Sequence, residues 1–393
     1  MKFRASLQAI QTGLQKVLPA LPRKSTLPVL EHLHFALKDN ELKIISTDQE
    51  ITIQTKVAVE GELDGEILVP GRRLIEIIKA LGTQGMLDFN TDEDNYEITI
   101  KTQNPVGSYT LMGLSHLEYL RIPELIESGK SKSDKLKAED SIDSIAFKKE
   151  EIVRLANKTA YAVSTDEFRP AMNGVLFQFR ENYLNAVATD SFRLAKACLR
   201  NDKPVYPKEL DIIIPARAVE VLKKVDGDIS MSFVENRGKK THARFDFNDS
   251  VFITRLINEN FPPYESVIPD TFSFKIILSQ SEFFSAVNRV AILTSEIISQ
   301  VKLHLENNTL TIYGADEETG AHGIETLNCD YAGEHYETAF NSRYLKDALE
   351  HLSGETEENN IEIRYYEVGR PVIIKPTVES DDLIALIMPV RVK

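Results

Sequence analysis

The eight histidines are the first residues to consider for chemistry, because imidazole serves as both a general base and a metal ligand. His32 and His34 alternate along one strand-like segment and could share a face. A zinc site needs further ligands at suitable spacing, and the sequence shows no clear partner for this pair. The sequence therefore predicts no metal site and no cofactor.

Nucleophilic and phosphate-binding motifs are also missing from the sequence. It contains no Gly-x-Ser-x-Gly, no glycine-rich phosphate loop followed by Lys and no dinucleotide fingerprint. Cys198 has no evident partner base and is interpreted as a small buried hydrophobic residue. Asp48, Asp190 and Asp316 recur along the chain, and a turn-capping role suits a repeated aspartate better than catalysis does. We predict that the chain is not an enzyme.

These aspartates belong to a threefold internal repeat. They are separated by 142 and 126 residues, and two further markers are separated by 145 and 126 residues and by 146 and 126 residues. The common spacing of 126 indicates a nearly gapless match between the second and third copies. The markers, copy by copy, are Val29, Asp48 and Pro70; Val175, Asp190 and Pro215; and Val301, Asp316 and Asn341.

Each copy has the pattern of a helix, several strands, a second helix and several more strands. Apolar residues at helical spacing, as in Leu74, Ile77, Ile78 and Leu81, predict the helices, and β-branched runs predict the strands. The fold class is therefore α+β, with two helices packed on antiparallel sheets in each of three domains. The helices are predicted near residues 6–18, 72–81, 148–162, 217–225, 280–293 and 343–352. The domains are predicted at 1–125, 142–268 and 269–393, with a polar linker at 126–141.

Composition sets the broad class. The chain has 393 residues, of which 42% are hydrophobic and 27% charged. It has no apolar run near the roughly 18 residues of a membrane span. It shows no apolar signal segment at its start, and its two cysteines cannot form a disulfide framework. These features predict a cytoplasmic globular protein.

The distribution of charge is more informative than its sum. The net charge is −14, which argues against a simple nucleic-acid-binding protein. The six predicted helices, however, carry a net charge of +7, so the rest of the chain carries −21. If equivalent helices face a common space, that space is positive inside an acidic body, and a polyanion could occupy it.

Several short motifs, in this order, resemble the β subunit of bacterial DNA polymerase III, the sliding-clamp family. Each motif is weak alone, but their order and the threefold architecture make the set specific, and the resemblance covers essentially the whole chain. The motifs include Thr26-Leu27-Pro28-Val29-Leu30, Val69-Pro70-Gly71-Arg72-Arg73, Met172-Asn173-Gly174-Val175, Thr189-Asp190-Ser191-Phe192-Arg193-Leu194, Phe261-Pro262-Pro263-Tyr264, Ala339-Phe340-Asn341 and Met388-Pro389-Val390-Arg391.

The resemblance implies a ring-forming head-to-tail homodimer that encircles double-stranded DNA without reading its sequence. Such a ring is a DNA polymerase processivity factor. Its implied partners are the clamp loader, the polymerase III catalytic subunit, and other polymerases and repair proteins that carry clamp-binding motifs. By similarity, the candidate DNA-contacting residues are Arg23, Lys24, Arg72, Arg73, Arg169 and Arg217. Relatives can carry DNA-contacting aromatic residues after the position of Arg169, whereas this chain has Pro170-Ala171.

The resemblance also implies a peptide-binding pocket between the second and third domains. Apolar residues with a few polar groups would suit an extended peptide with leucine or aromatic anchors. The implied pocket residues are Met172, Thr189, Ser191, Phe192, Arg193, Leu194, Pro262, Val267, Asn341, Tyr344, Leu386, Met388 and Val390. This chain departs from some relatives at Ser266 and Val390 and continues to Val392-Lys393, which could change its peptide preference.

For the dimer contact, the resemblance implies Tyr109 and Leu111 on an edge strand of the first domain. They would meet Ile292 and Leu293 at the end of a helix in the third domain. Apolar residues on an edge strand are otherwise an aggregation liability. Two other functions compete with the clamp. One is an acidic peptide-binding scaffold that never encircles DNA, and the other is a hydrolase whose site the sequence does not reveal.

Overall fold

The computed structural model describes residues 1–92, 94–120, 122, 144–200, 209–236, 238–331, 333, 335–352, 360–366, 369–378 and 383–391. The predicted linker at 126–141 and the terminal Val392-Lys393 lie outside these residues. No helix in the described ranges has the length and apolar character needed to cross a membrane. The three-domain boundaries stay a prediction.

Within the described ranges, six α-helices lie where the sequence predicts them. Local capping explains several of their ends, because a side-chain oxygen can satisfy a free N–H in the first turn of a helix. Ser6 accepts a hydrogen bond from the Ala9 N–H at 3.1 Å, and Ser279 accepts one from the Glu282 N–H at 3.4 Å. The helices are α1 (Leu7–Val17), α2 (Gly71–Leu81), α3 (Lys149–Thr159), α4 (Ala216–Leu222), α5 (Gln280–Ala291) and α6 (Ser342–Leu352).

Antiparallel strands make up most of the remaining regular structure. The first unit described below contains β1 (Lys2–Ser6), β2 (His32–Lys38), β3 (Glu41–Thr47), β4 (Ile51–Ala58), β5 (Glu60–Leu63), β6 (Gly65–Pro70), β7 (Met86–Thr91), β8 (Glu97–Gln103), β9 (Val106–Met112), β10 (Ile145–Phe147), β15 (Ile229–Asn236), β16 (Lys239–Phe247) and β17 (Ser250–Arg255). The second contains β11 (Gly174–Phe179), β12 (Tyr183–Thr189), β13 (Arg193–Arg200), β14 (Leu210–Pro215), β18 (Phe274–Ser279), β19 (Gln300–Glu306), β20 (Thr309–Asp316), β21 (Ala321–Asn328), β22 (Tyr336–Asn341), β23 (Asn360–Tyr365), β24 (Val372–Pro376) and β25 (Leu383–Ile387).

The first compact unit comprises residues 1–149 and 225–256. It holds a five-stranded sheet in the order β5-β1-β7-β8-β9 and an eight-stranded sheet in the order β10-β15-β16-β17-β4-β3-β2-β6. The eight-stranded sheet is continuous because β17 pairs antiparallel with β4, with Ser250 opposite Thr55. Their hydroxyls are buried and lie 2.9 Å apart. This pairing, the β17–β4 joint, connects parts of the chain about 200 residues apart.

The second compact unit comprises residues 150–224 and 257–393. Its eight-stranded sheet has the order β14-β11-β12-β13-β25-β24-β23-β18, and its four-stranded sheet has the order β21-β20-β19-β22. Here β13 pairs antiparallel with β25, so that Leu194 lies opposite Leu386. We call this pairing the β13–β25 joint. It brings the last strand of the chain beside a strand from the middle of the sequence.

The three repeated aspartates are turn residues, as the sequence predicts. The Asp48 carboxylate accepts hydrogen bonds from the N–H groups of Glu50 and Ile51 at 3.1 and 2.8 Å. Asp190 accepts from Phe192 and Arg193, each at 2.9 Å. Asp316 likewise accepts from the Glu318 N–H at 3.1 Å. Each carboxylate closes the turn after its strand, which explains why it recurs in every copy.

Candidate functional site

The predicted pocket residues gather around the β13–β25 joint. Leu194 and Leu386 are buried in one apolar cluster, and Met388 packs against that cluster from a partly exposed position. The strand pairing explains the convergence, since it places positions almost 200 residues apart in register. The joint therefore provides an apolar floor for the candidate site.

A tight turn between β12 and β13 forms one wall of this site. Thr189 is buried, and its hydroxyl donates to the Arg193 carbonyl at 2.7 Å. Ser191 adopts a φ of 77°, a left-handed conformation that suits a tight turn but is uncommon for residues other than glycine. The Ser191 hydroxyl lies 3.5 Å from the sulfur of Met172. This turn leaves the neighbouring Phe192 ring exposed at the edge of the site.

Arg193 is held by two carboxylates and an aromatic ring. Its Nε donates to Asp190 Oδ2 at 3.0 Å, and its Nη1 donates to Asp347 Oδ2 at 2.5 Å. The guanidinium carbon lies 4.5 Å from the centre of the Tyr344 ring. Charge-assisted hydrogen bonds and a cation–π contact fix the Arg193 side chain. Arg193 therefore connects the turn that contains Asp190 with helix α6, which carries Tyr344 and Asp347.

Helix α6 supplies the second wall. Asn341 caps its first turn, since its side-chain oxygen accepts from the Arg343 N–H at 2.9 Å. One turn further on, the Tyr344 ring stacks with Phe192 at a centroid distance of 6.3 Å. Burial raises the pKa of the Tyr344 hydroxyl, and the nearby Asp190 carboxylate raises it further. Tyr344 therefore stays a neutral aromatic group at physiological pH.

A cavity of about 550 Å³ opens beside Met388 and Val267. Its lining mixes apolar groups with hydroxyls and one arginine, a composition typical of ligand sites. Ser266 belongs to the lining, and its hydroxyl donates to the Pro263 carbonyl at 2.7 Å. The remaining lining residues are Pro269, Thr271, Phe272, Ser273, Tyr366, Arg370 and Pro371. Pro262 lies partly buried in the segment just before Ser266.

Backbone contacts fix the last described segment of the chain along this site. The Met388 N–H donates to the Phe192 carbonyl at 2.8 Å, and the Val390 N–H donates to the Ala339 carbonyl at 2.8 Å. The side chain of Val390 remains exposed. Met388 and Val390 are therefore placed beside the two walls by the backbone.

The predicted basic residues of the first unit differ in their solvent exposure. Arg72 is partly buried, and its Nη2 donates to the Leu21 carbonyl at 2.8 Å. Arg23 and Lys24, in the loop that begins just after Leu21, are exposed, as is Arg73. Arg72 therefore holds the loop that carries Arg23 and Lys24, while the other three side chains face solvent.

In the second unit, Arg169 and Arg217 are both exposed. Arg169 donates to the Ser191 hydroxyl at 2.8 Å, so it contacts the turn that forms the candidate pocket. Pro170-Ala171 follow within a short 3₁₀ turn, Pro170–Met172. Arg217 lies in the first turn of α4. The structure therefore brings Arg169 to the candidate site.

The predicted dimer residues lie at or beside the open sheet edges. Strand β9 ends the five-stranded sheet, with Tyr109 partly buried and Leu111 buried within the chain. Ile292 is 80% exposed just after α5. Leu293 packs against Gly323 of β21, where an added Cβ would lie 2.6 Å from the Leu293 Cδ1. Glycine at 323 thus lets the residues after α5 lie against the edge strand.

Other exposed apolar residues lie at or beside these edges, and the sequence did not reveal them. Val106 and Met112 project from β9, and Ile324 projects from β21. Ile297 and Ile298 follow α5 and are exposed as well. The alternation along β9 was the available signal for Val106 and Met112, because residues an even number of positions apart on a strand project from the same face. The sequence also did not reveal that His304, Glu306 and His335 lie together in a cluster.

Comparisons with known proteins cover the chain in three consecutive segments. Residues 1–123, 146–263 and 265–391 match the N-terminal, central and C-terminal domains of the DNA polymerase III beta subunit. A beta sliding clamp from Staphylococcus epidermidis is 27% identical over 407 residues, covering 100% of this chain and 99% of its own.

Solved structures agree on the fold. The sliding clamp from Bacillus subtilis is 25% identical, with a TM-score of 0.86 and full coverage of both chains. A sliding clamp from Pseudomonas aeruginosa bound to griselimycin is 24% identical, with a TM-score of 0.86 and the same coverage.

Three α+β domains of this kind, with their sheets joined across domains, define the class of sliding clamps, which are scaffolds and not enzymes. The three matched domains account for most of the sequence, and in the order that the threefold repeat predicts. The chain belongs to the DNA polymerase III beta subunit family. Members of this family are processivity factors of DNA replication whose partners are DNA and polymerase. The predicted α+β clamp fold and the processivity-factor function are confirmed, whereas the ring-forming homodimer stays a prediction.

Proposed function

We propose that two copies of this chain close head to tail into a ring around duplex DNA. The ring tethers the replicative polymerase, the clamp loader and repair proteins through the site at the β13–β25 joint. The observation that carries the proposal is the pair of unsatisfied edges, β9 and β21, which end the two short sheets. Each edge strand offers free backbone groups and exposed apolar side chains to another chain.

Head-to-tail pairing would treat both edges alike. If β9 of one chain pairs with β21 of the next, neither edge stays open, and two identical contacts close a two-chain ring. Val106 on β9 and Ile324 on β21 are 91% and 62% exposed, and Ile292 stands beside β21. Burying these residues would remove a large apolar area from water, at about 25 cal/mol per Å². Tyr109, Leu111 and Leu293 would support the contact from behind.

The DNA-contacting role rests on exposed cations in an acidic chain. Arg23, Lys24 and Arg73 face solvent in one unit, and Arg169 and Arg217 do so in the other. Arginine and lysine bind phosphates without reading bases, so such contacts would allow sliding. Arg72 would act differently, by holding the loop of Arg23 and Lys24 through the Leu21 carbonyl.

The peptide-binding role rests on the apolar floor and aromatic walls around Met388. An extended peptide could place a leucine or aromatic side chain in the cavity of about 550 Å³. Phe192 and Tyr344 would contact its other anchors from the edge. Apolar anchors in a largely preformed site are typical of hot spots at protein interfaces.

Retention on circular DNA tests the ring directly. The protein is loaded onto a nicked circle by an active clamp loader, the complex is isolated, and the circle is cut once. A closed ring is expected to be released on linearisation, because topology and not affinity holds it. Binding that survives the cut would show an ordinary DNA-binding surface instead. No retention at all would favour the acidic peptide-binding scaffold.

A charge variant makes the test specific to the named residues. Arg73→Glu with Arg217→Glu is expected to reduce loading or retention, while the matched Lys239→Glu control leaves both unchanged. All three side chains are exposed, so the variants should fold alike. Equal retention of the double variant and the control would rule out a role for Arg73 and Arg217.

A further inference from the structure

Three potential metal ligands meet on the outer face of the four-stranded sheet. His304 and Glu306 are two residues apart on β19, so their side chains share a face. The His304 Nε2 lies 3.5 Å from the Glu306 Oε2. His335, just before β22, brings its ring to a centroid distance of 4.3 Å from that of His304. One ligand atom from each of the three residues lies within 4.8 Å of the other two.

These distances match a metal centre after small side-chain rotations. Nitrogen and oxygen ligands lie about 2.0–2.2 Å from zinc, which places tetrahedral ligands roughly 3.4 Å from one another. Two imidazoles and one carboxylate suit borderline divalent ions such as Zn²⁺, whereas Mg²⁺ and Ca²⁺ prefer oxygen ligands alone. Three protein ligands leave a fourth position for water or another group.

The surroundings of the cluster favour a cation. Glu337 on β22 lies directly opposite His304 in the strand register, so both project from the same face of the sheet. Lys302 shares that face two residues before His304. Two carboxylates, from Glu306 and Glu337, therefore accompany one ammonium group. The opposite face of β19 carries buried Val301, Leu303 and Leu305, which fix the strand that presents the ligands.

We propose that His304, Glu306 and His335 form a surface site for a divalent transition metal, with Zn²⁺ as the fitting ion. The bound metal would tie β19 to the segment that leads into β22. This proposal is independent of ring closure and of DNA binding. It is also independent of His32 and His34, the pair that drew attention in the sequence.

Calorimetric titration of the untagged, chelator-treated chain with Zn²⁺ tests the site. One Zn²⁺ per chain is expected, with a rise in unfolding temperature as Zn²⁺ is added, because a ligand that binds the folded state stabilises it. His304→Ala and His335→Ala are each expected to weaken Zn²⁺ affinity by more than about tenfold, since even losing a hydrogen-bond partner of a ligand costs that much. Mg²⁺ is expected neither to bind nor to compete.

A matched control separates this site from general histidine binding. His322 is an exposed histidine on β21 of the same sheet, and His322→Ala should leave Zn²⁺ affinity unchanged. Because His335 lies outside a strand, His335→Ala keeps the test valid even if His304→Ala unfolds. The absence of Zn²⁺ binding, or equal affinity in the wild type and both ligand variants, would overturn the proposal.

Discussion

The eight-stranded sheets join distant parts of the chain in their interior, whereas the two short sheets end in exposed strands at β9 and β21. At the β17–β4 and β13–β25 joints, distant parts of one chain pair, and the joined strands are mostly buried. At β9 and β21 the pairing stops, and exposed residues alternate along each strand. The joints show that this fold extends sheets across domain borders. In the proposed ring, the edges at β9 and β21 are where a second chain would extend the short sheets in the same way.

The largest expected effect is at the open edges. Ile292→Asp with Leu293→Lys should convert a dimer of twice 44.4 kDa into a monomer, since two charges would replace apolar contacts. Two lost hot spots of about 2 kcal/mol each weaken a single contact by roughly a thousandfold, and dissociation of the dimer breaks both identical contacts. Light scattering over a dilution series measures this.

Leu117→Asp is the control for that prediction. Leu117 is 82% exposed in a short 3₁₀ turn of the first unit that follows β9 and lies outside both edge strands. Its variant should keep the wild-type mass. If the double variant stays dimeric, the assignment of Ile292 and Leu293 to the interface is wrong.

A substitution at the β13–β25 joint should change the stability of the chain and not its association with a second copy. Leu194 is 2% exposed at the β13–β25 joint, and Leu194→Ala should lower the free energy of unfolding by about 2–5 kcal/mol through lost burial and a cavity. Urea unfolding followed by circular dichroism measures the loss, with exposed Val378→Ala as a near-neutral comparison. If the two variants were equally stable, the joint would not hold the second unit together.

The same joint should also govern peptide binding. Deleting residues 388–393 removes Met388 from the cavity and the Val390 contact with Ala339. A short peptide with leucine and aromatic anchors should then bind about thirtyfold more weakly, a loss of about 2 kcal/mol. Fluorescence anisotropy measures the peptide affinity, and the shortened protein should remain a dimer. Unaltered peptide affinity would show that the peptide binds at another place on the chain.

The smallest expected effect is a pH dependence at the β21 edge. Hydrogen bonds from Arg289, each of 2.6 Å, lower the pKa of the Glu325 carboxyl below its ordinary 4.5. Because folding lowers the pKa of Glu325, the Arg289–Glu325 pair stabilises the folded state fully above pH 4.5. This stabilisation is lost as the pH falls through the lowered pKa of the folded state. The difference in unfolding free energy between the wild type and Glu325→Gln should therefore shrink on acidification. A difference in unfolding free energy that stays constant with pH would contradict this role of the Arg289–Glu325 pair.

Local sequence signals predicted the helices, the threefold repeat and the turn-capping aspartates. These depend on neighbours in the chain: Ser6 caps α1 three residues away, and Asp190 closes the turn before Arg193. Periodicity and capping are local rules, so a single sequence carries them.

What depends on distant pairing could not be predicted in the same way. The sequence does not show that Arg72 binds the Leu21 carbonyl, that Arg193 is clamped by Asp347, or that His335 meets His304. Each contact follows from a strand order or a loop path that joins residues far apart in the chain. The placement of the pocket residues came from family resemblance, and strand register explains it physically.

The division of the central segment has a consequence for synthesis on the ribosome. Strands β15–β17 complete the first eight-stranded sheet, whereas β11–β14 belong to the second. The amino-terminal unit therefore cannot finish folding until residue 256 has left the exit tunnel, although its other strands emerge more than 70 residues earlier. During that interval β4 has an uncovered edge in the nascent chain. An excised central segment would expose two such edges, at β17 and β13, so the three repeats of the sequence are not independent units of folding.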